Sequence, residues 1–318
     1  MVVEAVERGG ALHFLSSQGW MCSFIACSGG MLLLNKLVAS VARDRFALLF
    51  LQSLVSVLLN FFGTNVGIFD KLKPFTWSMF RIFLPPSMIF FFMLLTSLIS
   101  LPQVPVASVL VARSIGLCFV AAGDLLLFGQ QKNQQQKIGI LVIVVGACIY
   151  GAKDASYTRN GLLWLCFNTL LNITCQLWEK RAICQTVTQT AEGLAIVQNL
   201  LVLPAALSLM LLTRETPLQT FSDISPPMKL AILLSAVCGF LINLSYVKVN
   251  LSFQVTSIAV ASSSSRVLAL LVGAQVFQEA MSPLQVLGSS VCLAGSAVYG
   301  RVPFKYALGA AAAVPILK

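Results

Sequence analysis

The sequence predicts an all-α membrane protein with ten transmembrane helices, arranged as two inverted five-helix repeats. Three observations carry this prediction. The 318 residues are 58% hydrophobic and only 10% charged, too little charged surface for a soluble chain of that length. Apolar runs of about 20 residues, the length that crosses a bilayer as a helix, recur from end to end. Residues 106–151 also align without gaps on residues 255–300, at a shift of 149.

The first span, 17–41, follows "MVVEAVERGG". That stretch lacks the basic start, short apolar core and small-residue cleavage site of a removable signal, so the span reads as an uncleaved anchor. The next spans fall at 46–68, 79–100 and 104–128. The fifth, 138–152, is short and follows a Gln- and Lys-rich loop. Spans at 160–179 and 191–213 precede the longest polar connection, "RETPLQTFSDISPPM" at 214–228. The last three are 228–247, 253–277 and 283–300. The tail "YALGAAAAVPILK" is apolar but too short to span a core of about 30 Å as a helix.

The repeat sets "VASVLVARS" over "VTSIAVASS", Gln136 over Gln285, Gly139 over Gly288, Gly146 over Gly295, and Tyr150-Gly151 over Tyr299-Gly300. The units are 1–154 and 155–318, five spans each. An odd number of spans forces the second copy to enter the membrane upside down relative to the first. Inverted repeats of this kind build many secondary transporters, with the site near the midplane between the halves.

An even span count puts both termini on one side. The terminal side carries 12 Lys and Arg, the other side 6, and the remaining three lie inside spans. The positive-inside rule therefore places both termini in the cytosol. The net charge of +10 is mostly loop charge at a membrane surface, and no nucleic-acid partner is expected. The nine cysteines form no CxxC pair and read as small packing residues. With one histidine, His13, no His-based metal site or other cofactor site is visible. The sequons at Asn172 and Asn250 fall in a span and on a cytosolic loop, and neither is expected to carry glycan.

The three intramembrane cations are Lys36, Arg113 and Arg266. Arg113 and Arg266 fall near mid-membrane, where an unpaired arginine costs at least about 2.5–3.5 kcal/mol. Asp124 is the main acid inside the spans, and Glu179 lies at a span end. Asp124 is eleven residues from Arg113, about 16 Å along the helix, so it cannot pair there directly. Pairing across helices with Arg266 is geometrically open. Ser262, Ser265, Arg266, Ala269 and Gly273 share one helical face, a small, polar lining with hydroxyls. A guanidinium among serines in a low-dielectric cavity suits a phosphate or carboxylate, which it holds bidentately. Lys36, a turn and a half from the end of its span, either joins that site or snorkels to the interface. Paired carboxylates, a nucleophile–base pair or a metal-ligand cluster are not visible, so an enzyme is not expected.

At these residues the sequence resembles the nucleotide-sugar transporters of the drug/metabolite transporter superfamily. The resemblance runs over nearly the whole chain and lies in the order of its pieces. "LNK" ends span 1. "VASVLVARSIGLCFVAAGDLLLFG" sets a basic residue ten positions before a Gly-acid pair, here Arg113, Gly123 and Asp124. "GACIYGAKD" and "NGLLWLCFNTLLN" follow at the junction of the halves, then "VQNLLVLP", then "RVLALLVGAQVFQEAMSPLQVLGSSVCLAGSAVYG". The nearest look is to the GDP-mannose branch. That branch has Phe-Tyr-Asn-Asn where this chain reads Ile196-Val197-Gln198-Asn199, and Gly-Ala-Leu-Asn-Lys where it reads Ser262-Ser263-Ser264-Ser265-Arg266.

The resemblance implies that Gln198 and Asn199 read a nucleobase and that Arg266, with its neighbours, contacts sugar and phosphates. It implies the drug/metabolite transporter fold and alternating access. A cytosolic nucleotide sugar, GDP-mannose-like as first expectation, would exchange for a luminal nucleoside monophosphate. The expected setting is a Golgi membrane, with the endoplasmic reticulum second, and a homodimer is compatible with it. A sugar-phosphate or phosphate antiporter of the same superfamily, and a non-transporting membrane scaffold, are the alternatives.

Overall fold

Capping residues set the helix ends. In the computed structural model, residues 2–41, 44–69, 72–129, 131–151, 158–185, 190–215, 225–252, 265–266, 269–270, 272–277 and 282–300 are described, with side chains from residue 19 onward except at 128, 183, 184, 191, 250–252 and 300. The helices are α1 (Val2–Val41), α2 (Arg45–Val66), α3 (Trp77–Ser100), α4 (Val106–Phe128), α5 (Gln134–Gly151), α6 (Arg159–Gln185), α7 (Ala191–Leu212), α8 (Pro226–Ser252) and α9 (Pro283–Gly300). A short 3₁₀ turn, Leu101–Gln103, joins α3 to α4, and residues 265–266, 269–270 and 272–276 are helical, before α9. The Thr76 and Thr190 hydroxyls accept from the N–H of Met79 and Gly193, capping α3 and α7. Gly67 and Gly129 end α2 and α4 in the left-handed region, at φ 81° and 63°.

Seven of these helices are long and apolar enough to cross a membrane, and the described residues contain no strand. The protein is a multi-pass, all-α membrane protein. Of the other three expected spans, the ninth, 253–277, lies largely outside the described residues, and two differ from the other helices. The helix at the sixth span, α6, is long but polar, with Asn160, Asn168, Asn172, Gln176, Glu179 and Lys180 along it. Its Asn168 is satisfied internally, donating to Met93 O at 2.6 Å and to Thr96 Oγ1 at 2.9 Å on α3. At the tenth span, α9 is apolar but short.

Several helices outrun the apolar windows the sequence marks. Helix α1 begins at Val2, α6 continues to Gln185 and α8 to Ser252. Lys180, Arg181 and Lys248, expected on loops, therefore sit on helix ends. Once helical hydrogen bonding is established, polar residues at an interface extend it at little cost, so hydropathy does not mark the end.

The most extensive helix contact is α5 against α9. It is antiparallel and reciprocal. A Cβ on Gly139 would meet the Tyr299 backbone, and one on Gly288 the Tyr150 backbone. Likewise Gly146 faces Cys292, and Gly295 faces Ile143. Every one of these residues has its counterpart 149 positions away in the partner contact. The helix starts match too. Asn133 and Gln136 exchange side-chain-to-backbone hydrogen bonds at 2.9 and 3.0 Å, and Ser282 and Gln285 do so at 3.3 and 2.9 Å. These are two capping boxes at the same register. The wider packing follows suit: α1 lies on α8 as α3 lies on α6, and α2 packs on α7.

Candidate anion-binding site

Arg266 reaches from the described residues 265–266 to two helices, α4 and α9. Its Nη1 donates to Ser114 Oγ at 3.2 Å and to Ser296 Oγ at 3.4 Å. Both hydroxyls donate in turn to carbonyls one turn back, Ser114 to Leu110 O at 2.9 Å and Ser296 to Cys292 O at 3.0 Å. Their lone pairs are thereby aimed at the guanidinium. The other N–H groups of Arg266, and all five of Arg113, have no hydrogen-bond partner among the described residues. Arg113 immediately precedes Ser114 on α4, the residue whose hydroxyl Arg266 contacts. Both arginine side chains are partly buried. Ser265 is buried beside them, its carbonyl 3.1 Å from where a Cβ on Gly29 of α1 would stand. Ser262 lies outside the described residues.

The open pairing of Asp124 with Arg266 is not what forms. Asp124 takes Lys132 at 3.0 Å and Lys180 at 2.9 Å, at the other end of α4 from Val106. A carboxylate with two lysines in reach has no need of a distant arginine. A second buried ion pair was not anticipated: Glu192, fully buried, sits 2.6 Å from Lys248, whose ammonium also lies 5.7 Å from the centre of the Trp20 ring. Glu179 is buried on α6 and makes no ion pair among the described residues. Asp124 and Glu192 are thus compensated by lysine, whereas Arg266 has only neutral hydroxyls among the described residues.

Lys36 was expected either to join the arginines or to snorkel, and its described contacts are with protein groups. Its Nζ donates to Val104 O at 2.9 Å and lies 5.0 Å from the centre of the Phe277 ring. Phe277 is eleven residues beyond Arg266 in the sequence. The lysine is held by protein groups at the α3–α4 corner. Gln198 and Asn199 are both buried on α7. Asn199 donates to Ala195 O in its own helix at 3.1 Å, and Asn243 of α8 donates to the same carbonyl at 3.3 Å. No hydrogen bond joins these amides to the arginine pair among the described residues. A further polar network links three helices: Gln52 Nε2 donates to Asn35 Oδ1 at 3.2 Å and to Ser235 Oγ at 3.0 Å. Its signal was available, since each amide interrupts an apolar run where an unsatisfied one is costly.

The profile of the Triose-phosphate Transporter family matches residues 20–300. The chain belongs to this family. Among related proteins of Arabidopsis thaliana, the GDP-mannose transporter GONST1 is 26% identical over 195 residues, 59% of this chain and 58% of the relative. The GDP-mannose transporter GONST2 is 24% identical over 201 residues, 61% of this chain and 53% of the relative. Over these two, the match spans between half and two thirds of the relative's length. GDP-fucose transporter 1 is 24% identical over 288 residues, 88% of this chain and 82% of the relative. A solved crystal structure, 15% identical, superposes with a TM-score of 0.62 over 89% of this chain and 96% of its own, a likeness of fold. As a member of the Triose-phosphate Transporter family, the chain places its arginine pair inside the matched region.

Proposed function

We propose that the protein is a secondary transporter, not an enzyme, that exchanges a cytosolic nucleotide sugar for a luminal nucleoside monophosphate by alternating access. The observation that carries this is the Arg113–Arg266 pair. Arg113 adjoins the serine that Arg266 contacts, the described hydrogen-bond partners of Arg266 are hydroxyls, and the buried Asp124 and Glu192 carboxylates are matched to lysines elsewhere. An anion with two or more charges completes such a site, and a diphosphate fits the requirement. The relatives' names point to guanosine diphosphate sugars, and GDP-mannose is the first substrate to test.

In this reading the chain has ten spans in two inverted halves, 1–154 and 155–318. The reciprocal α5–α9 contacts and the paired capping boxes support it. The halves rock about the site between them, closed alternately to each side. Exchange follows physically: an empty site leaves two guanidinium groups uncompensated, which disfavours occlusion and return. Arg266, Arg113, Ser265 and Ser262 hold phosphate, Gln198 and Asn199 read the base, and Lys36 supports the luminal end. Both termini face the cytosol, in a Golgi membrane.

The family's own description favours a second reading, a sugar-phosphate or phosphate antiporter using the same arginines. One assay separates the two. Purified protein in liposomes loaded with GMP, UMP, CMP or inorganic phosphate is supplied with a panel of labelled nucleotide sugars and sugar phosphates. Uptake of a nucleotide sugar driven by one monophosphate supports the first reading. Uptake driven only by phosphate supports the second, and no uptake at all leaves a membrane scaffold.

A further inference from the structure

A second cationic feature lies apart from the arginine–serine site. Between α3 and α6 is a cavity of about 240 Å³, lined by Arg81, Pro85, Trp178, Arg181 and Gln185 among others. It shares no lining residue with the arginine–serine site. Arg81 sits one turn inside the start of α3 and Arg181 one turn from the end of α6, so the cavity opens at the edge of the membrane. Both arginines are exposed, and neither makes an ion pair or hydrogen bond among the described residues. No acid lines the cavity. Glu179, adjacent on α6, is buried and pairs with neither arginine.

Size decides among anions. A water occupies about 30 Å³ of liquid, so the space exceeds a single water. It falls below the roughly 300–1,000 Å³ of pockets that enclose a drug-sized molecule, so the cavity encloses a single group rather than a whole nucleotide sugar. A phosphate group does, and two guanidinium groups with an amide supply its donors. The flanks are apolar. Leu84 and Phe92 continue outward-facing along α3, and Trp178, Leu170, Phe167 and Leu163 do so along α6. Trp178 is 44% exposed, an indole at the depth where aromatic residues meet headgroups. Basic pockets between helices, capped by an interfacial aromatic, are suited to charged lipid headgroups.

We propose that this cavity binds the phosphate-bearing headgroup of an anionic phospholipid, with Arg81 and Arg181 on the phosphate and the acyl chains along the outer faces of α3 and α6. The transport reading is not needed for this assignment. The test is native mass spectrometry of the full-length protein in detergent, titrated with phosphatidylserine, phosphatidylinositol phosphate or phosphatidylcholine. Inorganic phosphate and GMP are added as competitors.

The expected result is one retained anionic lipid, bound at least about tenfold more tightly than phosphatidylcholine. Arg81→Gln with Arg181→Gln should weaken it by about 25-fold, roughly fivefold per cation near an anionic surface. Each single variant carries the same test at about fivefold, should the double variant fold poorly. Lys137→Gln, an exposed cation at the start of α5, should change nothing. Three outcomes overturn the proposal: equal loss in Lys137→Gln, which means diffuse surface attraction; no loss in the arginine variants; or full displacement of the lipid by millimolar phosphate or GMP, which makes the cavity a soluble-anion site.

Discussion

Lys248 places its ammonium 2.6 Å from a carboxylate oxygen of Glu192, a residue with no exposed surface. The pair ties the start of α7 to the end of α8, and Asn60 of α2 adds a hydrogen bond to the Glu192 carbonyl at 3.2 Å. Removing one partner strands the other. Lys248→Ala should therefore destabilise the protein by about 3–5 kcal/mol, whereas Glu192→Gln combined with Lys248→Met should recover most of that loss. Thermal melting in detergent reads both. Equal melting of Lys248→Ala and wild type would show the carboxylate is not held by this lysine.

The α5–α9 contact predicts symmetric damage. A Cβ on Gly139 would come 2.6 Å from the Tyr299 nitrogen, and one on Gly288 meets Tyr150 in the equivalent place. Backbone atoms cannot swing aside, so the helices must separate. Gly139→Ala and Gly288→Ala should each cost about 1–3 kcal/mol, and by similar amounts. A large cost at one and none at the other would break the equivalence of the two halves.

The glycine pairs were legible in the sequence because close helix approach demands a residue without a side chain at fixed spacing, and the 149-residue shift exposes that demand twice. Arg113 and Arg266 were legible because a charge in an apolar run is conspicuous. The partners of Asp124 were not. Lys180 is 56 residues away and lies where α6 continues past its apolar stretch, so neither spacing nor hydropathy marks it. Lys36 was equally opaque: its carbonyl partner, Val104, exists only because Pro102 and Pro105 frame a corner whose direction the sequence does not encode locally. Gln52, Asn35 and Ser235 meet from three helices, a convergence that only the packing supplies.

The charge split predicts a topology. With 12 basic residues on the terminal side against 6 opposite, residues 131–137 and the C-terminus should face the cytosol, and 214–228 the lumen. Epitope tags at these places, probed by protease in sealed vesicles, check it. Tags at the C-terminus and at 214–228 cleaved from the same side would refute the assignment.

Asn199 tests base recognition. Its amide hydrogen bonds within its own helix, and Asn243 also serves the Ala195 carbonyl, so Asn199→Ala leaves that acceptor satisfied. Stability should change by less than about 1 kcal/mol. Binding of the preferred nucleoside monophosphate should weaken about tenfold in a calorimetric titration. Unchanged binding of GMP, UMP and CMP alike would make Asn199 a packing residue.

The central claim is that the counter-charge of Arg266 is a bound anion, and thermal melting of Arg266→Ala with and without saturating monophosphate tests it most directly. Ligand at 100 times its Kd stabilises wild type by about 2.7 kcal/mol and raises its melting temperature. Ser114 and Ser296 are neutral, so removing Arg266 strands no charge. The variant should therefore melt close to unliganded wild type and lose the ligand shift, while Arg266→Lys keeps part of it, because the charge stays and the bidentate fork does not. A variant that melts far below wild type, yet responds to monophosphate as wild type does, would make Arg266 a structural cation and contradict the account.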